Sequence, residues 1–188
     1  LKDGTERRFV LPETQVFEDT EPRVADLDGD GVAEIMTVES SLTGGARLTV
    51  YGPQGRLAST AYIGRKNRWL APVSAADFTG DGQLEIAIVV TPHLAGRLDL
   101  LRYEGASLIR IATLSGLTNH RIGDPEIAGG VRTCGTHPEM ILAQMPWGEN
   151  AVTTMVAVSL TGDQLNAKPF AEPFTPENIA SAMACDMH

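Results

Sequence analysis

The chain has 188 residues, of which 43% are hydrophobic and 21% charged, with a formal net charge of -9. This length allows one domain with a buried core, and no segment has the roughly 18 to 20 apolar residues of a membrane span. The negative charge opposes contact with phosphate backbones, which bind clustered Lys and Arg. Neither membrane insertion nor a nucleic-acid partner is therefore expected.

A repeat of about 50 residues organises the predicted elements in chain order. Residues 1–25 come first as a partial copy, the tail of a preceding unit, with a strand at residues 8–11. The loop at residues 26–35 recurs at residues 77–86, and both have the form Asp-x-Asp/Thr-Gly-Asp-Gly-x-x-Glu-Ile. Turns further along the chain recur at nearly the same spacing, since Tyr51-Gly52 in the first copy corresponds to Tyr103-Glu104-Gly105 in the second. A third copy keeps only its strand, because residues 138–143 align with residues 33–38 while the loop before them has no acidic residue.

Each copy predicts strands. Short apolar runs at residues 35–38, 86–90 and 140–143 are typical of buried strands, and partly alternating runs follow at residues 46–51 and 97–103. Third strands at residues 57–61 and 108–114, and one more near residues 73–75, complete four-stranded antiparallel meanders. Thr175 as N-cap and Pro176 at the first helical position predict a short C-terminal helix.

These elements predict an all-β fold, a β-propeller of about four four-stranded antiparallel blades. Three arrangements are consistent with this count. The N-terminal stretch completes a closed four-bladed ring, the ring is open, or the chain is part of a longer propeller. We expect a single domain over residues 1–188, with copies at residues 26–76, 77–130 and 131–174 and a helix and tail at 175–188.

The Asp-Gly loops predict calcium sites. Carboxylates at alternate positions of a glycine-rich loop converge on one point, and a hard divalent cation with six to eight oxygen ligands neutralises them. Magnesium is stricter in geometry, and zinc or copper would favour His or Cys, which these loops lack. An EF-hand is excluded, because its twelfth loop position, a Glu, is Thr37 here. The alternative is that Asp and Gly only form tight turns. In the first loop the carboxylates are those of Asp26, Asp28, Asp30 and Glu34, which place four negative charges together.

Over roughly residues 22–143, these loops and the apolar strands after them resemble the calcium loop of FG-GAP or VCBS repeats in integrin-α-like β-propellers. The resemblance implies one or two Ca²⁺ ions, with the carbonyl oxygen of Val32 as a further ligand in the first loop. In the second loop it implies the side chains of Asp77, Thr79, Asp81 and Glu85 and the carbonyl oxygen of Gln83. The Phe-Gly and Gly-Ala-Pro signatures are missing, and the ninth loop position is Glu where the family often has Asp.

The two cysteines, Cys134 and Cys185, stand in polar contexts, which favours a disulfide over core thiols. The alternatives are free thiols or a zinc site with His137 and His188, which continue two Cys-x-x-His spacings. A disulfide and calcium loops together indicate a periplasmic or secreted protein.

A basic and aromatic cluster at Arg65, Asn67, Arg68 and Trp69 is echoed by residues 119–121. Its recurrence indicates a structural role, with Trp69 packed between blades. The alternative is a binding patch, since Arg and Trp are frequent in binding hot spots. His93 and His120 are expected to be surface loop residues.

Catalytic motifs are missing from the sequence: there is no Gly-x-Ser-x-Gly, no His-Glu-x-x-His and no P-loop. We therefore expect an exported recognition or structural module with a protein or glycan partner, and not an enzyme. The alternatives are a polysaccharide hydrolase or lyase on a propeller scaffold, or an accessory subunit of a larger envelope assembly.

Overall fold

The computed structural model describes residues 4–146 and 153–187. Within these ranges the chain forms strands throughout and one helix near its C-terminus, as the sequence predicts. The elements are β1 (Gln15–Phe17), β2 (Arg23–Ala25), β3 (Glu34–Ser41), β4 (Gly45–Gly52), β5 (Gly55–Ser59), β6 (Leu70–Ala76), β7 (Glu85–Val90), β8 (Arg97–Glu104), β9 (Ser107–Ser115), β10 (Leu117–Thr118), β11 (Gly130–Arg132), β12 (Glu139–Gln144), β13 (Thr154–Thr161), β14 (Gln164–Pro173) and α1 (Pro176–Met183).

The strands form three antiparallel sheets in the described part of the chain. In the second sheet the order is β6-β7-β8-β9. The first sheet has the same plan, except that β1 and β2 both pair with β3 and together take the place of β6, with β4 and β5 following. The third sheet repeats this split, because β10 and β11 both pair with β12 before β13 and β14. The repeat seen in the sequence is therefore a repeat of sheets.

Two apolar layers hold the three sheets together. Buried side chains of the first and second sheets, including Met36, Leu48 and Ile88, form one cluster. Those of the second and third sheets, including Leu100 and Leu142, form another. Fully burying such a side chain contributes about 1.5 to 3 kcal/mol, so these layers fix the sheets face to face.

The C-terminal helix begins as predicted. The Thr175 side chain accepts a hydrogen bond from the Asn178 backbone N–H at 3.3 Å, and Pro176 takes the first helical turn. Ile179, Ala182 and Met183 pack against the third sheet. A disulfide between Cys134 and Cys185 ties the residues after the helix to the loop before β12.

The prediction for the N-terminal stretch is wrong in two respects. Residues 8–11 form no strand; Phe9 instead stacks on Tyr51 with ring centroids 5.2 Å apart. Residues 15–25, predicted as the tail of a preceding unit, hold β1 and β2 and complete the first sheet. The strand before each acidic loop belongs to the same sheet as the strand after it, so the repeat boundary lies after β5 and β9 and not at the loop. The part of the chain that the structure describes has no helical segment with the length and hydrophobicity of a membrane span.

Candidate metal centre

The first acidic loop joins β2 to β3 and is organised by Asp26. Its Oδ1 accepts a hydrogen bond from the Gly29 N–H at 2.8 Å, and its Oδ2 accepts one from the Gly31 N–H at 2.9 Å. Both glycines have positive φ, 75° and 84°, a conformation that side-chain-bearing residues resist. The backbone therefore wraps around the Asp26 carboxylate and brings the later loop residues back toward it.

Three of the predicted ligand side chains meet at one point. Oxygen atoms of Asp26, Asp28 and Glu34 all lie within 4.8 Å of one another. Asp30 stands apart from this group, and its Oδ1 accepts a hydrogen bond from the Val32 N–H at 2.7 Å. The donors that come together are carboxylates alone, which suits a hard cation such as Ca²⁺.

Glu34 is the buried member of this cluster, with 2% of its surface exposed. Its Oε2 accepts a hydrogen bond from the Leu27 N–H at 2.8 Å. Burial raises its pKa, and the carboxylates of Asp28, Asp30 and Asp26 raise it further. No Lys, Arg or His among residues 4–146 and 153–187 forms an ion pair with it. A buried carboxylate beside other carboxylates is costly unless a cation compensates it, so these residues fit a bound divalent ion.

The second loop, between β6 and β7, has the same backbone framework. Asp77 accepts hydrogen bonds from the N–H groups of Gly80 at 2.7 Å, Asp81 at 3.1 Å and Gly82 at 2.9 Å. The Gln83 N–H donates to Asp81 Oδ1 at 2.9 Å, as Val32 does to Asp30 in the first loop. The two loops therefore share most of their backbone hydrogen bonds, and they differ at the fifth residue, whose N–H donates to Asp28 in the first loop and to Asp77 in the second.

An arginine side chain contacts the predicted ligands of the second loop. Arg102 Nη2 lies 2.9 Å from Thr79 Oγ1 and 2.9 Å from Asp81 Oδ2, while its Nε lies 3.1 Å from Glu85 Oε1. The contact with Glu85 raises the pKa of Arg102. The Gln83 N–H and, to a smaller extent, Arg102 lower the pKa of Asp81. Three of the four predicted side-chain ligands are thus already in contact with a cation of the protein itself.

The third sheet has a glutamate at the same position. Glu139 begins β12 as Glu34 begins β3 and Glu85 begins β7. Arg132 on β11 lies directly opposite, with its Nη2 2.9 Å and its Nε 3.2 Å from Glu139 Oε2. The loop between them contains Cys134, whose bond to Cys185 confirms the predicted disulfide and removes the zinc alternative, which needs free thiolates. His188 lies outside the described residues.

The basic and aromatic cluster lies directly before β6, beside the first sheet. Trp69 stacks on His93, packs edge-on against His120 and donates from Nε1 to the Glu18 carbonyl at 2.8 Å. Asn67 has a positive φ of 56°. Asn67, Arg68 and Trp69 also line a groove of about 390 Å³ next to β1 and β3, while Arg65 is exposed.

The expectation that His93 and His120 are surface loop residues is wrong for His120, which is buried, while His93 is partly buried. His93 Nε2 and His120 Nδ1 lie 2.7 Å apart, and His120 is 9% exposed. His120 Nε2 also lies 3.0 Å from the Asp124 carbonyl oxygen, so it carries the proton there and its Nδ1 accepts from His93.

One family model matches the part of the chain that holds the two acidic loops. Residues 26–88, which span both acidic loops, match the FG-GAP-like repeat, and the resemblance predicted for these residues is confirmed. No curated protein matches the chain.

Two solved structures are similar in fold. The rhamnogalacturonan lyase PL11 of Bacillus licheniformis has 18% sequence identity and a TM-score of 0.54, and the match covers 81% of this chain and 34% of the lyase. The exotype rhamnogalacturonan lyase YesX has 17% identity and a TM-score of 0.53, covering 81% of this chain and 33% of that one. This chain therefore spans about a third of the length of either lyase.

Proposed function

We propose that this chain, whose residues 26–88 are FG-GAP-like repeat sequence, is a calcium-binding β-propeller segment that serves as an exported recognition or structural module. Three sheets of the same plan, each packed on the next, support the propeller architecture. The ion stabilises the loop that enters the second strand of the first sheet.

The observation that carries the proposal is the environment of Glu34. It is buried, it lies within 4.8 Å of the Asp26 and Asp28 oxygens, and no described side chain supplies a positive charge. Asp26, Asp28 and Glu34 would hold the ion by carboxylate oxygens. Asp30 and the Val32 carbonyl are the further ligands that the resemblance implies.

The proposed ion acts on folding and not on chemistry. A ligand that binds only the folded state stabilises it by about 2.7 kcal/mol when its free concentration is 100 times Kd. Extracellular modules commonly bind calcium at about 0.1 to 1 mM, close to its supply outside the cytoplasm. The Cys134–Cys185 disulfide supports the same compartment, because disulfides persist in oxidising environments.

Melting curves in calcium and in EDTA test this proposal. We expect calcium to raise the Tm by roughly 5 to 10 °C at saturation. Asp28→Asn should abolish the rise without changing the Tm in EDTA by more than a few degrees. Asp163→Asn is the matched control, since Asp163 lies on an exposed turn between β13 and β14 and the change in charge is the same. A calcium response that survives in Asp28→Asn would contradict the proposal.

For the partner we propose a glycan, and rhamnogalacturonan is the first ligand to test. The two structurally similar proteins are named as lyases of this polysaccharide. Its galacturonate units carry carboxylates, so a chain of net charge -9 needs a local positive patch to bind it. Arg68 lines the groove beside Trp69, together with Glu13 and Glu18, and the exposed Arg65 stands three residues before it; these two arginines supply the positive charge for this contact.

A binding assay with a turnover assay separates recognition from catalysis. We expect rhamnogalacturonan to retard the protein in affinity electrophoresis, and Arg65→Ala/Arg68→Ala to remove the retardation while keeping the Tm. We expect no unsaturated or hydrolysed product in calcium. Product formation would favour the alternative, a polysaccharide-processing enzyme, and the absence of both binding and turnover would reject the glycan partner.

A further inference from the structure

We infer that the chain binds one calcium ion, at the first loop, and that Arg102 is the built-in cation of the second loop, which makes that loop independent of metal. The inference rests on the proposed calcium site at the first loop.

The register of the strands shows where the difference arises. Ile35 pairs with Tyr51 in the first sheet, and the equivalent Ile86 pairs with Leu101 in the second. One residue further along, Glu85 pairs with Arg102, whereas the residue after Tyr51 is Gly52. Gly52 therefore occupies in the first sheet the level that Arg102 occupies in the second.

The hairpin around this position is longer in the second sheet. After the irregularity that both hairpins share, β4 and β5 end with the pair Gly52 and Gly55. β8 and β9 continue for two further pairs beyond Arg102, ending at Glu104 and Ser107. Arg102 is thus an interior strand residue whose side chain is held over the loop, while Gly52 stands at a turn and offers no side chain.

The contacts of Arg102 leave the second loop without the donors that a metal requires. Its guanidinium contacts Thr79, Asp81 and Glu85, and Glu85 is fully buried. Calcium needs six to eight oxygens with lone pairs free to coordinate it, and a guanidinium in the same place repels the ion and uses those lone pairs. As it stands, this donor set does not fit Ca²⁺.

The third sheet gives independent support. Its equivalent glutamate, Glu139, is paired with Arg132 from the opposite side, the preceding strand. The glutamate at the start of the second strand thus meets an arginine in two sheets. It meets none among the described residues in the first, where three further carboxylates line the loop. The position requires a positive charge in every sheet, and the first sheet is the one left to take it from solution.

Counting bound ions in wild type and variants tests the inference. By equilibrium dialysis with calcium, we expect one ion per wild-type chain, none for Asp28→Asn and one for Asp81→Asn. Arg102→Gly copies the first sheet and should bind two, with the second ion lost again in Arg102→Gly/Asp81→Asn. Arg102→Lys and the same-hairpin control Arg110→Gly should each bind one.

The reverse substitution, Gly52→Arg, gives the first sheet an arginine at the level of Arg102, and this variant should bind no calcium ion. A Cβ at this position meets the Leu57 Cδ1 atom at 2.9 Å, and this methyl group lies at the flexible end of its side chain. Stability in EDTA shows whether the new arginine replaces the ion, because the variant should then melt close to calcium-loaded wild type.

Several outcomes would overturn the inference. Two ions on wild type with one lost in Asp81→Asn would place calcium in the second loop, and a folded Arg102→Gly that binds one ion would deny Arg102 its role. If Arg102→Gly does not fold, the Asp81→Asn count decides. A wild type without calcium whose Arg102→Gly variant binds one ion would reject the proposed function but uphold the role of Arg102.

Discussion

Arg132 lies directly opposite Glu139 across β11 and β12, and its guanidinium also donates to the carbonyl oxygens of Ala182 at 2.6 Å and Met187 at 2.9 Å. One side chain therefore compensates the glutamate of the third sheet and fixes the end of α1. The arginine side chain is 4% exposed and the Glu139 side chain 27%.

Replacing Arg132 should destabilise the protein strongly. Arg132→Met leaves the Glu139 carboxylate and two carbonyl groups without their donor, and we expect a loss of about 2 to 3 kcal/mol, below the full value for a buried pair because Glu139 is partly solvated. Denaturant unfolding measures it. Arg121→Met, which affects a more exposed pair with Asp124, should cost less than about 1 kcal/mol. Equal losses in both variants would contradict the special role of Arg132.

The disulfide should also make a large contribution to the free energy of unfolding. Cys134 and Cys185 are 51 residues apart, and closing a loop of this length stabilises the folded state by about 4 kcal/mol through the unfolded chain. We expect Cys134→Ala/Cys185→Ala to lose about this amount in urea unfolding, and wild type with reductant to lose the same. Intact mass should show two added alkyl groups only after reduction. A double variant within 1 kcal/mol of wild type would contradict this prediction.

Much of the fold could be predicted because it depends on local patterns. Apolar runs marked β3, β7 and β12, glycine-rich turns separated the strands, and Thr175-Pro176 marked the start of α1. The failure at residues 8–25 has a physical cause, since β1 and β2 have three residues each and take their stability from pairing with β3. Such short strands have too few residues for an alternating pattern.

The arginines at the loops could not be found by aligning the repeats. Matching the turn after Tyr51 with the turn after Tyr103 requires an offset of 52 residues. The strand pairing instead places Gly52 at the level of Arg102, because the second hairpin is two pairs longer. Pairing partners depend on register, which a local sequence pattern does not specify when hairpin lengths differ. The available signal was an arginine on a strand next to the one that begins with the glutamate, Arg102 on β8 for Glu85 and Arg132 on β11 for Glu139.

Replacing Trp69 should destabilise the fold much more than replacing Arg68. Trp69 packs against the core of the first two sheets and bonds Glu18, so Trp69→Ala should cost about 2 to 3 kcal/mol, somewhat less than for a fully buried Trp. Arg68→Ala should cost about 0.5 kcal/mol or less, as for most surface substitutions. Chemical unfolding of the two variants measures both values. Similar losses would mean that Arg68 is also structural and would weaken its assignment to the glycan patch.

Stability should fall on mild acidification because the pKa of His93 lies below its ordinary value in the folded state. Burial first, and the nearby His120 second, lower the pKa of His93 below its ordinary value of 6.5, while Asp124 acts in the opposite direction. The folded state therefore binds fewer protons than the unfolded state between the lowered pKa and 6.5. Its stabilisation is complete above pH 6.5 and is lost as the pH falls below that value.

One histidine changes the free energy of unfolding by at most about 1.4 kcal/mol per pH unit. Solvent around the partly exposed His93 ring makes the change smaller. Unfolding free energies measured from pH 7.5 to 5 in EDTA should decline less in His93→Gln than in wild type. The glutamine amide can still donate to His120 Nδ1 but does not titrate, so the difference between the two curves isolates His93. Parallel curves would mean that the acid sensitivity of the fold originates from the carboxylates and that the short contact between the two rings has no part in it.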